Sequence, residues 1–539
     1  MRSIPLRLWA FAILSAILQI LPFPIAGPVP LWRRLFCWVC LIPLLAALLE
    51  GNREGSPLKL RQAAVLAYVA GVLWYAGNCY WIYRTMHLYG NIPALPSFGI
   101  LILFSLYLGL YFALFGAVLA SLNRHFSRTI VLICAPCLWV AVELARARIT
   151  GFPWDLLGYT QVDNLTLTRL APWTGVMGLS FLIAAVNSLW LIRPAFSRRI
   201  LRYLPAGAAF LFVVAITLAA HRNGHDILEP TQGVATLLQE NLGVGSEVSG
   251  RSETRQQMLS SFSQLSMHAT YPLTLRDHQL FGTQLQTPSQ IIVWPEAPTD
   301  FIDTDPSFRQ AISSLAKTAH AAVIVNDVTL AYYKNGRPSL YNSASFFLPD
   351  GSYAGRYDKM HLVPFGEYTP YKPLFFFVGD LLDDLVFIPG THRSVFNVAN
   401  KKYGVFICYE SIFGDELRHF PLEGAQVLVN ISDDGWYGDT SAPWEHLDMV
   451  RMRAIENDRW LLRATNTGVT AAIDPRGRII AALPRHVRAS MQVPFGFRTR
   501  LTLYSRYGDW FAWLCAAITT LMLTAGFFLE RRKAQSQVN

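Results

Sequence analysis

Charged residues are scarce in this chain. Only 15% of its 539 residues are Asp, Glu, Lys or Arg, whereas 52% are hydrophobic. This composition excludes a purely soluble protein and indicates a membrane-embedded part. The apolar residues cluster in windows close to the roughly 20 residues that a helix needs to cross a bilayer. The eight candidate spans are residues 8–26, 34–50, 63–83, 98–121, 129–146, 171–192, 203–220 and 509–529.

The first window also lacks a small-residue cleavage site, so we interpret it as a retained helix and not as a signal peptide. Seven further spans follow it, and Pro22 and Pro24 lie near its end. We therefore predict eight spans, and the prolines make the end of the first one hard to locate.

Long apolar windows are missing between residues 227 and 505. This stretch carries 24 basic and 28 acidic residues, so its net charge is 24 − 28 = −4. The +10 of the whole chain therefore comes from the membrane part, which argues against nucleic acid as a partner. We predict three segments: a membrane domain of seven helices at 1–226, a catalytic domain at 227–505, and an eighth helix with a basic tail at 506–539.

The distribution of Lys and Arg orients the predicted helices. An even number of spans puts both termini on one side of the membrane and the insert on the other. The terminal side carries 14 basic residues and the opposite side carries 8. Because basic residues concentrate in cytoplasmic loops, we predict that both termini are cytoplasmic and that the insert is extracytoplasmic.

Cysteine is almost absent from the insert, where Cys408 is the only one. A single cysteine cannot form an internal disulfide, so Cys408 is either an inert core thiol or a nucleophile. The other six lie in or beside predicted helices, where we interpret them as packing residues in spite of two C-x-x-C spacings. We expect no metal site and no cofactor.

The insert alternates short apolar runs with helical patterns, such as those at 307–320 and 445–464. Nearly continuous apolar runs are typical of strands that are covered on both faces, so we predict a layered α/β domain. The candidate strands are residues 234–239, 290–295, 321–328, 343–349, 404–409, 425–432 and 468–474.

Three residues at predicted strand ends have complementary chemistry: Glu296, Lys359 and Cys408. A thiol needs a base, and a buried carboxylate can take its proton and later return it. An ammonium group can stabilise the oxyanion that follows attack on a carbonyl. Each residue also has a purely structural interpretation. Glu296 would cap the helix or turn that follows Pro295, Lys359 would be a solvated charge in a loop, and Cys408 would be a buried residue of the hydrophobic core.

The motifs around these residues resemble the Glu-Lys-Cys signature of the nitrilase superfamily. They are WPE at 294–296, Y-x-K-x-H-L-V-P-F-G-E at 357–367 and C-Y-E at 408–410. Together with eight spans, they are similar to the apolipoprotein N-acyltransferase family over nearly the whole chain. The resemblance implies an eight-helix membrane bundle with an extracytoplasmic αββα nitrilase-like domain, on the periplasmic side of a bacterial inner membrane.

The resemblance also implies a reaction. In this family a cysteine takes an acyl chain from a phospholipid, commonly phosphatidylethanolamine, and forms a thioester. The α-amino group of a diacylglyceryl-cysteine at the start of an apolipoprotein then accepts the chain. We expect these two substrates, contact with membrane lipids, and a monomer.

By the same motifs, Glu296 is the general base and acid, Lys359 the oxyanion stabiliser and Cys408 the nucleophile. Glu367 supports the lysine, and Tyr409 and Glu410 shape the site. For Asn342 we favour a strand-end hydrogen bond over a functional role. For Trp154 two interpretations are open. Its side chain lines the route by which the lipid enters, or it anchors the protein at the membrane interface, as aromatic residues commonly do.

The chain departs from the family pattern at two places. The loop at 239–253 lacks an expected tryptophan, and NISDDGWYG at 430–438 has Asp433 and Gly435 where Asn and a small residue such as Ala are expected. The apolar segment 371–390, with Phe375, Phe376 and Phe377, predicts a lid or a membrane contact.

Two rival functions remain open from the sequence. A membrane-tethered amidase would use the same three residues, with water resolving the acyl-enzyme. A transporter or sensor would use the insert only for binding, but the spans contain few acidic residues to form an ion relay.

Overall fold

The computed structural model describes residues 4–50, 57–193, 199–222, 229–245, 253–268, 274–275, 278–279, 288–296, 301–334, 337–368 and 387–536. The chain divides into two compact units. The helical unit comprises Met1–Asp226, Asp439–Asp448 and Tyr507–Asn539. The sheet unit comprises Ile227–Gly438 and Met449–Arg506.

Helices dominate the described part of the helical unit. The α-helices up to residue 222 are α1 (Leu6–Ile20), α2 (Leu31–Arg34), α3 (Ile42–Leu49), α4 (Leu60–Asn78), α5 (Trp81–Arg84), α6 (Ala94–His125), α7 (Arg128–Ala145), α8 (Ala171–Thr174), α9 (Val176–Leu189) and α10 (Leu204–Arg222). The last helix of the chain, Trp510–Ser536, belongs to the same unit.

Five helical stretches among the described residues are long and apolar enough to cross a membrane, and a bent pair makes six if it counts as one span. They are Leu31–Leu49, Ala94–His125, Arg128–Thr150, Leu201–Ala220 and Trp510–Arg532, with Leu60–Asn78 and Trp81–Tyr89 as the pair. The apolar composition of the membrane part therefore produces the expected long helices.

Two of the eight predicted spans form shorter helices. The window 8–26 becomes α1, with 15 residues, and the window 171–192 becomes α9, with 14 residues. At 1.5 Å per residue, such helices are about 20–23 Å long and fall short of the ~30 Å hydrocarbon core. Pro22 and Pro24 follow the end of α1, and Gly175, with a φ of 69°, precedes α9.

The sheet unit contains two six-stranded sheets. The strands in the described part of the unit are β1 (Gly233–Gln239), β2 (Thr274–Leu275), β3 (His278–Gln279), β4 (Ile291–Val293), β5 (Ala322–Lys334), β6 (Arg337–Phe347), β7 (Tyr353–Asp358), β8 (Val395–Val398), β9 (Lys401–Ile407), β10 (Val427–Ser432), β11 (Trp460–Thr465), β12 (Ala471–Ile473), β13 (Ile479–Ala482) and β14 (Ala489–Phe495). The strands of the first sheet run in the order β14-β1-β4-β5-β6-β7 and those of the second in the order β13-β12-β11-β10-β9-β8.

Each sheet has a parallel centre with antiparallel flanks. Strand β4 pairs in parallel with β1 and β5, and β10 pairs in parallel with β9 and β11. All residues of β4 and β10 are buried, as expected for parallel strands that are covered on both faces. Each of the seven predicted strand regions overlaps one of these strands, so the layered α/β prediction for the insert is confirmed.

Helices accompany the sheets. In the described part of the unit they are α11 (Arg255–Met267), α12 (Pro306–Ala319), α13 (Gly414–Leu417), α14 (His419–Leu422), α15 (Ala442–Asn457, whose first turns belong to the helical unit) and α16 (Leu503–Tyr507). Asp305 caps α12 by accepting a hydrogen bond from the Ser307 amide. The apolar face of α12 buries Phe308 and Ile312 in the core beside β4 and β5.

The helical prediction at 445–464 was too long. Helix α15 ends at Asn457, Asp458 adopts a φ of 52°, and β11 begins at Trp460. The left-handed residue ends the helix, and all six residues of β11 are buried in a parallel sheet. The predicted segment 371–390, with Phe375, Phe376 and Phe377, lies outside the described residues except for 387–390.

We predict that Phe308→Ala destabilises the sheet unit. Phe308 is 1% exposed and stacks on Phe301 with ring centroids 5.1 Å apart. Truncating it leaves a cavity and should cost about 3–5 kcal/mol. The expected result is a lower Tm in detergent, whereas Tyr332→Ala, which removes a half-exposed ring, should leave Tm nearly unchanged. Equal Tm values for the two variants would contradict the packing described for α12.

Candidate active site

Strand ends carry the three residues predicted to do chemistry. Glu296 lies three residues after β4, Lys359 follows β7 directly, and Cys408 follows β9 directly. The first two come from one sheet and the third from the other. This is the placement expected for reactive residues of an α/β domain.

Lys359 is a buried ammonium group between two carboxylates. Its side chain is 1% exposed, and its Nζ lies 3.0 Å from Glu367 Oε1 and 3.4 Å from Glu296 Oε1. Burial alone would lower the pKa of Lys359, but the charges of Glu296, Glu367 and Cys408 raise it above its ordinary value. Lys359 is therefore a fixed positive charge in a water-poor site.

Asn342 joins the same two carboxylates. Its Nδ2 donates hydrogen bonds to Glu296 Oε1 at 2.7 Å and to Glu367 Oε1 at 2.9 Å. Its Oδ1 accepts a hydrogen bond from Asn326 Nδ2 at 2.8 Å, which fixes the orientation of the amide. The strand-end hydrogen bond predicted for Asn342 is wrong, because the residue lies inside β6 and its side chain bridges the two acids.

Backbone amides hold the remaining carboxylate oxygens. Glu296 Oε2 accepts a hydrogen bond from the Asp433 N–H at 3.0 Å, and Glu367 Oε2 accepts one from the Val363 N–H at 2.8 Å. Each oxygen of both acids thus has a donor, so the two side chains are held in one orientation. A fixed carboxylate beside a thiol can act as a base.

Cys408 adopts a strained backbone conformation at the start of the 3-10 helix Cys408–Ile412, with a φ of 50°. Such strain in a residue other than glycine is common at functional sites. The thiol is buried, and burial together with the charge of Glu296 raises its pKa well above its ordinary value, while Lys359 acts in the opposite direction. Cys408 is therefore a neutral thiol at rest, and it needs a base.

Glu410 ties the cysteine turn to the lysine loop. Its carboxylate is buried and accepts four hydrogen bonds, with donors on both segments: Ile407 N (2.7 Å), Tyr357 Oη (2.6 Å), Met360 N (2.7 Å) and His361 N (3.1 Å). Tyr409 is also buried, and its ring meets Phe413 edge-on at 5.3 Å. Both residues therefore shape the surroundings of Cys408 and Lys359.

Trp154 belongs to the helical unit. Its indole is fully buried, donates a hydrogen bond to Glu445 Oε2 at 2.7 Å, and stacks on Phe152. An exposed interfacial anchor does not fit this environment. The position of Trp154 on a lipid route stays a prediction.

The sequence did not single out two further residues as members of the site. Asp433 follows β10 directly and provides the amide that holds Glu296. Tyr437 is buried near Cys408. Burial is the main reason why the pKa of Tyr437 lies well above its ordinary value, and the charge of Cys408 raises it further. Their common signal is the motif NISDDGWYG, which begins in β10 at Asn430 and therefore crosses the end of a parallel strand. Among the described residues, no group of three or more His, Cys, Asp or Glu side chains could hold a metal ion.

A carboxylate, an ammonium group and a thiol in one site are typical of a class of enzymes that act on acyl groups through a cysteine. Residues 251–491 match the family model described as carbon-nitrogen hydrolase, and residues 8–189 match that of the apolipoprotein N-acyltransferase N-terminal domain. The sheet unit therefore has a nitrilase-like, carbon-nitrogen hydrolase domain.

Curated relatives match almost the whole chain. Apolipoprotein N-acyltransferase of Geobacter metallireducens is 34% identical over 99% of this chain and 97% of its own. Apolipoprotein N-acyltransferase of Methylococcus capsulatus is 33% identical over 93% of this chain and 94% of its own. The chain belongs to the apolipoprotein N-acyltransferase family. Among solved structures, an amidase from Nesterenkonia sp. is similar at 14% identity with a TM-score of 0.34, covering 51% of this chain and 94% of its own.

The raised pKa of Cys408 predicts slow alkylation by iodoacetamide at neutral pH, with a rate that increases as the pH rises beyond the ordinary thiol range. Only the thiolate reacts, and Lys359 favours the thiolate. The variant Lys359→Met should therefore react more slowly at each pH, and Lys317→Met, on the exposed face of α12, should not differ from the unaltered protein. Mass spectrometry of the Cys408 peptide measures the rate. Rapid alkylation at neutral pH would refute a neutral thiol.

Proposed function

We propose that this protein is an N-acyltransferase. It moves an acyl chain from a phospholipid, phosphatidylethanolamine, through a thioester on Cys408 to the α-amino group of the diacylglyceryl-cysteine of apolipoproteins. The observation that carries the proposal is the buried Lys359 ammonium held between Glu296 and Glu367, beside a strained, neutral Cys408. The full-length relatives support the choice of substrates.

In the first step, the Glu296 carboxylate takes the proton of the Cys408 thiol as the sulfur attacks the ester carbonyl carbon of the phospholipid. The carbonyl oxygen becomes an oxyanion, which the Lys359 ammonium stabilises. The C–O bond to the glycerol then breaks, and the departing oxygen takes the proton from Glu296. A lysophospholipid leaves, and the acyl chain stays on Cys408 as a thioester.

In the second step, the α-amino group of the acceptor attacks the thioester carbonyl and passes a proton to Glu296. Lys359 again faces the oxyanion. The C–S bond breaks, the sulfur of Cys408 takes the proton back from Glu296, and an amide forms on the acceptor. Both steps use the same base, the same ammonium and the same thiol, which fits a site with all these groups on one chain and a monomeric enzyme.

Supporting roles follow from the hydrogen bonds. Glu367 and Asn342 hold Lys359 and Glu296 in place, and Glu410 fixes the turn that carries Cys408. Tyr409 forms part of the wall beside the nucleophile. For Trp154 we retain a role on the route of the lipid, acting from inside the helical unit.

The first step predicts an acyl thioester on Cys408. Purified protein incubated with phosphatidylethanolamine that carries a label on the transferred acyl chain should gain the mass of that chain on the Cys408 peptide, and an unlabelled lysophospholipid should be released. Cys408→Ser should gain none. Glu296→Gln should slow the gain by about 10²–10⁴-fold, because a positioned base contributes that much.

Two outcomes would contradict the acyltransferase. No acyl group on Cys408, or an equal gain in Cys408→Ser, would eliminate the thioester. A thioester that water hydrolyses as fast as it forms, with no amide when a diacylglyceryl peptide is supplied, would favour the rival amidase.

We also propose the topology. The eight predicted helical segments all cross the bacterial inner membrane, with α1 and α9 completed by flanking residues, and the catalytic domain lies on the periplasmic side. The excess of basic residues on the terminal side supports this orientation.

This orientation predicts the state of two reporters at the carboxyl terminus. Alkaline phosphatase needs disulfides, which form outside the cytoplasm, so its fusion there should be inactive. Green fluorescent protein at the same point should fluoresce. Alkaline phosphatase inserted after Ser352, in the exposed turn between β6 and β7, should be active. An active phosphatase at the carboxyl terminus would reverse the topology.

A further inference from the structure

Asn466 uses each of its polar groups in a hydrogen bond. It follows β11 directly and is buried. Its backbone N–H donates to the Ser432 carbonyl at 3.0 Å, and its backbone carbonyl accepts from the Asn241 N–H at 2.9 Å. Its side-chain amide has partners on both the oxygen and the nitrogen. A buried residue whose donors and acceptors are all paired is held in one orientation.

The side-chain amide of Asn466 bridges two loops. Its Oδ1 accepts a hydrogen bond from the Leu242 N–H at 2.8 Å. Its Nδ2 donates to the Leu242 carbonyl at 2.8 Å and to Asp433 Oδ2 at 3.1 Å. These partners require one acceptor and two donor hydrogens on the same planar group, which asparagine has and aspartate lacks.

The two loops come from different sheets. Leu242 lies three residues after β1, which pairs in parallel with β4, the strand that precedes Glu296. Asp433 follows β10 directly, and β10 pairs in parallel with β11. Asn466 therefore lies where the carboxyl-terminal ends of both sheets meet. The first sheet carries the predicted base and the ammonium group, and the second carries the nucleophile.

Asp433 connects Asn466 to the base. Its backbone N–H donates a hydrogen bond to Glu296 Oε2 at 3.0 Å. Its side chain is held at both oxygens, because Oδ1 accepts from the Gly435 amide at 2.9 Å and Oδ2 accepts from Asn466. The direction of the Asp433 N–H thus depends on the Asn466 amide. Two successive hydrogen bonds lead from Asn466 through Asp433 to Glu296.

The Asp433 N–H fixes the side of the Glu296 carboxylate that the first sheet does not hold. Oε1 receives Asn342 Nδ2 at 2.7 Å and Lys359 Nζ at 3.4 Å, both from the first sheet. Oε2 receives the Asp433 N–H from the second sheet. With that donor displaced, the carboxylate could turn about its Oε1 contacts. A misplacement of about 1 Å at a reacting group can cost about 10²-fold in rate.

We infer that Asn466 is a positioning residue, which fixes the Asp433 N–H on Glu296 and thereby the orientation of the base toward Cys408. This inference rests on the proposed function, because it assigns a support to the base of that reaction. Asn466 is fully buried and does not present a surface to the lipid. Its loss should therefore lower the maximal rate of thioester formation and leave the half-saturating lipid concentration nearly unchanged.

Two variants test the side-chain amide. Asn466→Ala removes its three hydrogen bonds, and Asn466→Asp keeps only the acceptor for the Leu242 N–H. Each should form the thioester on Cys408 about 100-fold more slowly at saturating phosphatidylethanolamine and neutral pH. Asn466→Asp preserves the volume of the side chain, so it serves if the alanine variant does not fold. Asn397→Ala, at an exposed position of edge strand β8 in the same sheet, should keep the original rate.

An exchange of donor and acceptor separates positioning from stability alone. In the double variant Asn466→Asp/Asp433→Asn, the acid and the amide trade places. The amide at 433 can then donate to the carboxylate at 466, while its oxygen still accepts from Gly435. About 10-fold of the rate lost in Asn466→Asp should return, because the two positions are coupled. A double variant that is no faster than Asn466→Asp would overturn the positioning role.

Hydrogen exchange supplies a readout that does not require activity. The peptide that contains Asp433 and Gly435 should exchange faster in Asn466→Ala and Asn466→Asp than in the unaltered protein, while a peptide from β5 should stay protected. Unchanged exchange at that peptide would overturn the inference, as would a loss of rate that saturating lipid restores. An unaltered protein that forms no thioester would defeat the proposed function, whereas the exchange data still decide whether Asn466 holds Asp433. The two failures are therefore distinguishable.

Discussion

One buried ammonium group organises this site. Lys359 has almost no contact with solvent, and burying an unpaired charge costs several kcal/mol. Glu296 and Glu367 remove that penalty, and Asn342 donates to both of them, so the position of each acid depends on the other. The first sheet must therefore bring the end of β4, the middle of β6 and the end of β7 together before a charged Lys359 can be accommodated.

The second sheet supplies the nucleophile and joins it to that arrangement. Glu410 accepts hydrogen bonds from the backbone before Cys408 and from the backbone after Lys359. A buried carboxylate with four donors is costly to disturb, because any lost donor leaves a charged oxygen unpaired. The strained φ of Cys408 is thus held by hydrogen bonds from both sheets, and strain of this kind persists only where the surroundings hold it.

Much of this architecture was predictable from local patterns. Apolar runs identified the strands, and Glu296, Lys359 and Cys408 were expected at their ends because reactive residues gather there. The roles of Asn342 and Asp433 were not predictable from spacing, since each acts through a contact with Glu296 across 46 and 137 residues of chain. The helix expected at 445–464 ends at Asn457, because burial in a parallel sheet determines the structure of 460–465 where a local periodic pattern does not.

The charges of the site also explain why the Cys408 thiol stays protonated and unreactive before a substrate binds. Two carboxylates face one ammonium group, so the cluster of Glu296, Glu367 and Lys359 is already net negative, and a thiolate would add a second excess charge. Burial and Glu296 together hold Cys408 protonated, although Lys359 pulls the other way. In the proposed reaction, proton transfer from Cys408 to Glu296 removes one negative charge from the cluster at the moment when the oxyanion creates another. The total charge beside Lys359 would then stay constant, and a water-poor site can tolerate such a transition state because no net charge has to enter it.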